Sequence, residues 1–152
     1  KSDPTLDYID LMSVDLVPVA ASTLLPGLSA KEITPSRLQP FVQCVIRDTA
    51  RHSQPRDSYV LKGARHLTVS DQLMKKQVIL NGMGWGHMPL FLVEDEIRNG
   101  LLVDFTNADF QGGRIDLAAA RRRDRPHGPA ANRLWDYVTA EAPRFRQAEF
   151  AG

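Results

Sequence analysis

An α/β fold with a largely parallel sheet is predicted by the sequence, because strand patterns and helix patterns alternate along it. Three stretches carry that prediction. Residues 11–21 alternate loosely between apolar and polar, with valines at 14, 17 and 19, as a half-buried strand does. Residues 70–100 read as helix, glycine-rich strand, helix. Residues 115–120 read as a strand, followed after a basic turn by an amphipathic helix.

Taken in order, the first strand gives way at residue 22 to a segment punctuated by Pro26-Gly27, Pro35 and Pro40, a connecting loop with room for one helical turn at 36–39. Residues 41–46 are continuously apolar apart from Gln43 and read as a buried strand. Short strands are expected at 59–61 and 64–69, around Gly63. Ser70 is placed to cap a helix through Leu80, with Asp71 in its first turn and Leu73, Met74, Val78 and Leu80 near helical spacing. Pro89 sits where a second helix begins, Leu90, Val93 and Ile97 form its stripe, and Gly100 stops it. A strand then ends near Phe105, and the polar residues 106–113 form a turn or excursion. After the strand at 115–120, residues 121–127 make a basic turn. The closing helix spans 129–142, with Leu134, Trp135 and Val138 inward and Pro143 as its stop; the tail beyond should fray.

Bulk properties narrow the function. A chain of 152 residues, 43% hydrophobic, can bury one respectable core. A formal net charge of +1 argues neither for a nucleic-acid surface nor for a trap for acidic substrates. The single cysteine, Cys44, excludes an intramolecular disulfide and, within an apolar run, reads as a buried inert thiol. No apolar run has the length of a membrane span or the placement of a secretory signal, which points to a soluble, cytoplasmic protein.

Catalysis has little to recommend it. Glu94, Asp95 and Glu96 belong to an exposed acidic helix face, and His52, His66, His87 and His127 fall in separate segments without metal-ligand spacing. There is no G-x-S-x-G elbow, P-loop or Cys–His arrangement, so no enzyme, metal or cofactor is expected. The cluster Arg121-Arg122-Arg123-Asp124-Arg125 lacks interleaved aromatic residues and reads as a surface turn rather than a nucleic-acid patch.

The run from Asn81 to Pro89 is the most informative stretch. Glycines at 82, 84 and 86 alternate with side chains that include Trp85 and His87. Backbone N–H groups and a helix N-terminus meet there, which suits an anion or a small polar ligand. The same glycines also fit simple close packing of the backbone.

Residues 68–105 (TVSDQLMKKQVILNGMGWGHMPLFLVEDEIRNGLLVDF) strongly resemble the effector-binding domain of LysR-type transcriptional regulators: an amphipathic helix ending in G-x-G, a short strand finishing at proline, a helix rich in Val, Glu and Ile, then a G-x-L-V strand. Residues 13–21 resemble the family's strand leading out of the first lobe, and 115–123 with 126–138 its closing strand, basic turn and final helix, so the resemblance runs from about 10 to 138. It implies a periplasmic-binding-protein-like (type II) lobe with a mostly parallel sheet flanked by helices, plus part of a second lobe. On that basis residues 20–103 are expected to form the second lobe and 1–19 with 104–142 a partial first lobe. Crossovers would lie near 17–20 and 103–105, and residues 143–152 would be a flexible tail. Nothing here resembles the family's helix-turn-helix, linker helix or first half of the first lobe, so the chain reads as a fragment whose cleft has one wall.

The function this implies is ligand sensing: a small-molecule effector, an organic acid or an aromatic metabolite, bound between lobes to modulate transcription. Expected partners are that effector and further copies of the chain. Promoter DNA would be reached only through a helix-turn-helix not found here, and no membrane is involved. The resemblance places the effector against Arg47, Asp48 and Thr49 at the end of one strand and against Gly84, Trp85, Gly86 and His87 on the glycine-rich strand. Trp85 and His87 stand where family members usually carry small or aliphatic residues, and together they favour a flat effector. Two alternatives remain: a solute-binding protein of similar fold serving a transporter, and a truncated module that pairs with intact regulators.

Overall fold

Strand β1 (Leu6–Ala21) is long enough to serve both of the compact units into which the chain divides. The computed structural model describes residues 3–46 and 59–148. Asp15–Gly113 forms the larger unit, and the described parts of Lys1–Val14 and Arg114–Gly152 form the smaller.

In the larger unit β1 is followed by α1 (Pro35–Leu38), β2 (Val42–Ile46), β3 (Arg65–Val69), α2 (Gln72–Leu80), β4 (Trp85–Pro89), α3 (Leu90–Arg98) and β5 (Leu102–Asp104). The strands lie in the order β3-β2-β4-β1-β5. β2 runs parallel to β3, pairing Val42 with Arg65 through Ile46 with Val69, and parallel to β4, pairing Gln43 with Trp85. β1 runs antiparallel to β4 and β5, with Ala20 opposite both Trp85 and Val103. The sheet is therefore mixed. Strand–helix alternation dictates parallel neighbours only where a crossover helix joins them, and β1 has no such helix ahead of it.

Because successive strand residues point to opposite faces, the sheet builds two cores. Val19, Ala21, Cys44 and Met88 pack with Ile79 of α2 and Val93 of α3 on one face. Ala20 and Trp85 pack with Leu25, Ile33, Leu38, Phe105 and Phe110 on the other. Gly84 and Gly86 make the β2–β4 joint possible. A Cβ on Gly84 would lie 2.5 Å from the Val42 carbonyl oxygen, and one on Gly86 would lie 2.7 Å from that of Cys44. Such distances leave no room for a side chain.

Both helices flanking β4 end on a left-handed glycine, Gly82 (φ +68°) after α2 and Gly100 (φ +72°) after α3, as the sequence leads one to expect for Gly100. The start of α2 differs by one residue from expectation. Asp71, not Ser70, is the N-cap: its Oδ1 accepts from Met74 N at 2.9 Å, while the Ser70 hydroxyl donates to Asp71 Oδ2. Asp71→Ala should cost about 1 kcal/mol, seen as a lower urea midpoint with an unchanged slope. The buried residues of α2 are Lys75 and Ile79, four apart, whereas Leu73 is 67% exposed and Met74 also faces solvent. Residues 59–61, expected as a strand, are not one; a side chain rather than a ladder holds them, as described below.

Strand β6 (Gly113–Arg122), which pairs with β1, belongs to the smaller unit from Arg114 onward, as does α4 (Pro129–Ala148). The basic residues are occupied locally. Asp7 accepts from Arg121 and Arg123, which hold its carboxyl below the usual range, and Arg122 pairs with Asp124. The Arg121 guanidinium also lies 4.4 Å from the centroid of the Trp135 ring, a cation–π contact. Two expectations fail here. Leu134 faces solvent, leaving Trp135 and Val138 as the half-buried residues of its stripe. Helix α4 also continues through Pro143 instead of stopping there. Proline removes one backbone donor, and the Arg144–Glu141 pair spans that turn, with contacts of 2.9 and 3.0 Å. No helix among the described residues is long and apolar enough to cross a membrane.

Candidate functional site

Alternation along β4 puts Trp85 and His87 on one face of the larger unit, and that face opens into a cavity of about 430 Å³. Its walls are the segment from Tyr59 to Leu61, the rings of Trp85 and His87, and the segment from Ala108 to Gly112. The volume falls in the range of small-molecule sites.

Two side-chain amides hold the rims. Gln43, buried in β2, donates from Nε2 to Tyr59 O at 2.6 Å and accepts on Oε1 from Leu61 N at 2.8 Å. It thus replaces the ladder that 59–61 lacks. Asn107 donates from Nδ2 to Ala30 O (2.8 Å) and Ile33 O (2.9 Å), and its Oδ1 accepts from the backbone of Asp109 and Phe110 (both 2.9 Å). An amide with all four positions used in this way defines a single loop conformation. Asn107→Ala should cost about 2 kcal/mol, since each lost hydrogen bond is worth about 1 and some groups regain water. Calorimetric unfolding would read this as a lowered midpoint.

The floor is aromatic. Trp85 meets Phe110 edge-on at 5.4 Å between centroids and Phe105 at 5.9 Å, and Tyr59 lies 4.5 Å from the His87 ring. Trp85 Nε1 and His87 Nδ1 are buried and have no hydrogen-bond partner among the described residues. His87 Nε2 lies 3.1 Å from Gln111 O. A backbone carbonyl only accepts, so Nε2 carries the proton. Burial holds the imidazole below its ordinary pKa, opposed by the hydrogen bond to Gln111, lowered further by Lys75 and raised by Asp104.

Behind β4, on the α2 side, lies Lys75, only 7% exposed, whose ammonium donates to His87 O at 2.8 Å. A Cβ on Gly86 would come within 2.9 Å of Lys75 Cε, so the glycine also makes space for the lysine. Burial lowers the Lys75 pKa to about 8.

Of the residues expected at the site, Trp85 and His87 line the cavity, while Gly84 and Gly86 lie against β2. Arg47, Asp48 and Thr49 lie outside the described residues. Sequence reasoning missed Tyr59, Gln43, Asn107 and the 108–112 wall. The signal for Gln43 was present: a polar residue within an otherwise apolar strand must find partners when buried.

A family model, the LysR substrate binding domain, matches residues 1–143. No curated protein matches the chain by sequence. Among solved structures, the bromide-bound regulatory domain of HypT from Salmonella typhimurium is 18% identical with a TM-score of 0.69, over 93% of this chain and 67% of that one. The AmpR effector-binding domain from Citrobacter freundii is 16% identical with a TM-score of 0.61, over 94% of this chain and 70% of that one. Full-length LysG from Corynebacterium glutamicum, solved with bound effector Arg, is 15% identical with a TM-score of 0.62, over 95% of this chain and 48% of that one. The chain therefore spans about two thirds of the separate effector domains and about half of a full-length regulator. What it shares with them is the periplasmic-binding-protein-like fold.

Proposed function

Because the chain belongs to the LysR substrate-binding-domain family, we propose that it is the ligand-sensing part of a LysR-type regulator and that its effector occupies the cavity floored by Trp85 and His87. The observation that carries this reading is a cavity of about 430 Å³ whose lining includes Trp85 and His87 of the glycine-rich strand β4. Trp85 and His87 supply the contacts, Gly84 and Gly86 let β4 lie close to β2, and Arg47, Asp48 and Thr49 are the further contacts that the family resemblance assigns to the effector.

LysR-type regulators bind small-molecule effectors and act as oligomers on DNA. In this chain the effector is an organic acid or an aromatic metabolite, the protein is cytoplasmic and not an enzyme, and DNA is contacted through a helix-turn-helix outside these 152 residues. Effector and promoter geometry are then linked, each altering the other's affinity by the same factor. A second reading, pairing with another regulator subunit, draws on the exposed Leu134 and Tyr137 of α4; sedimentation across a concentration series would show it as a rising mass.

Thermal unfolding against a panel of organic acids, amino acids and aromatic metabolites tests the sensor reading. A ligand at 100 times its Kd adds about 2.7 kcal/mol of stability. The expected result is a selective rise in midpoint that His87→Phe removes. A folded protein that responds to nothing in the panel, or whose response ignores His87, contradicts it.

A further inference from the structure

Gln43 is a polar residue inside an apolar strand, 2% exposed, and its register opposite Trp85 turns its side chain to the face of the sheet that carries the cavity. A carbonyl oxygen only accepts and a peptide N–H only donates, so Tyr59 O and Leu61 N fix which end of the amide faces which. These partners stand two residues apart, and one amide serves both, as one residue of a neighbouring strand would. The segment is thereby tied to β2 on both sides of Val60. Its Tyr59 ring lies 4.5 Å from the His87 ring, and its hydroxyl occupies space that a Cβ on Gly113 would fill. The His87 imidazole also meets the 108–112 wall, with Nε2 3.1 Å from Gln111 O. Both walls of the cavity therefore close on one imidazole.

We infer that Gln43 is a positioning residue of the effector site: its amide sets Tyr59 against His87 and, with it, the width that the cavity offers a ligand. The inference rests on the cavity being the sensor pocket proposed above. Gln43 is not among the described lining residues; it acts through the backbone of Tyr59 and Leu61. A ligand beside the His87 ring must fit the gap that this amide fixes. Truncating Gln43 thus loosens selection at the site without removing any group the ligand touches.

Carbethoxylation of His66 and His87 by diethyl pyrocarbonate, read residue by residue by mass spectrometry on the 152-residue chain, tests this without an effector. His66, exposed on β3, is the internal reference. In the native chain His87, 8% exposed, should react more slowly than His66. Gln43→Met removes both bonds at nearly constant volume. The ratio of His87 to His66 reactivity should then rise about tenfold, because the wall opens more often. Tyr59→Ala should raise the ratio as much, and Gln43→Met should add nothing in the Tyr59→Ala background, since residues acting through one contact are not additive. A merely structural role would lower the unfolding midpoint and leave the ratio alone. If Gln43→Met fails to fold, Gln43→Glu replaces it: its carboxylate accepts from Leu61 N but cannot donate to Tyr59 O, and the ratio should rise again. An unchanged ratio in a folded Gln43 variant, or in Tyr59→Ala, overturns the inference. So does a Gln43 effect of equal size with and without the Tyr59 ring. None of these results touches the sensor reading, which stands or falls on the metabolite panel.

Discussion

Trp85→Ala is expected to destabilise the protein by about 4 kcal/mol, the largest effect of any single truncation here. The indole is 0% exposed and joins β4 to the core formed by Phe105 and Phe110. Its removal forfeits two edge-to-face contacts, each worth about 0.5–1.5 kcal/mol beyond burial. The void would open into the existing cavity, so water can enter and the cost stays below that of a sealed hole. Trp85→Phe keeps most of the ring and should lose about half as much. Urea unfolding followed by circular dichroism measures both, and a loss below 1 kcal/mol for Trp85→Ala would mean that the indole is not a core residue.

The second large effect is a pH dependence set by Lys75. Burial moves its pKa from the ordinary 10.5 to about 8, so the native state gives up this proton more readily than the unfolded chain. Between those values the unfolded chain binds more protons, and stability rises with pH. The gain is complete above 10.5 and is lost as pH falls through 8; its size is about 3 kcal/mol. Lys75→Met removes the titration. At pH 7 the variant sheds the cost of a buried ammonium but leaves His87 O unpaired, which returns about 1–3 kcal/mol. A net gain of about 1 kcal/mol at pH 7 is expected, and the variant's standing relative to the native chain should fall by about 3 kcal/mol by pH 10.5. Cys44, whose thiol burial pushes up, acts in the opposite direction at alkaline pH. It is present in both proteins, so the difference between their pH–stability curves reports Lys75. A flat difference would contradict the burial of its charge.

These two residues also show how far the sequence was legible. Trp85 stands out because it alternates with glycines, and strand periodicity then sends it and His87 to one face. The face was readable; its partners were not, because Phe105 and Phe110 come from a segment that reads only as a turn. Lys75 was hidden for the opposite reason. A lysine in an amphipathic helix looks solvent-facing, and only the missing side chain at Gly86 makes room for it beneath β4. The exposed Leu73 and Met74 misled the helix stripe in the same way.

Strands with strong apolar runs, such as Val42–Ile46, were legible to within a residue. The cavity rims were not, since Gln43 and Asn107 fix them through side-chain bonds to segments that are 16 or more residues away in the first case and 74 or more in the second. Periodicity carries no information about such bonds. Pro143 misled because proline weakens a helix at one bond without ending it where neighbouring pairs hold the turn.

Among possible measurements, the indole N–H region of the ¹H–¹⁵N spectrum tests most directly whether this cavity is the sensor. The chain has two tryptophans, Trp85 in the cavity wall and Trp135 on α4, so two indole signals report on two places. Trp135→Phe assigns them. On titration with a ligand that the metabolite panel identifies, the Trp85 signal should move saturably, in step with the rise in thermal midpoint, while that of Trp135 stays in place. A ligand that saturates the protein while leaving the Trp85 signal unmoved would show that sensing happens elsewhere.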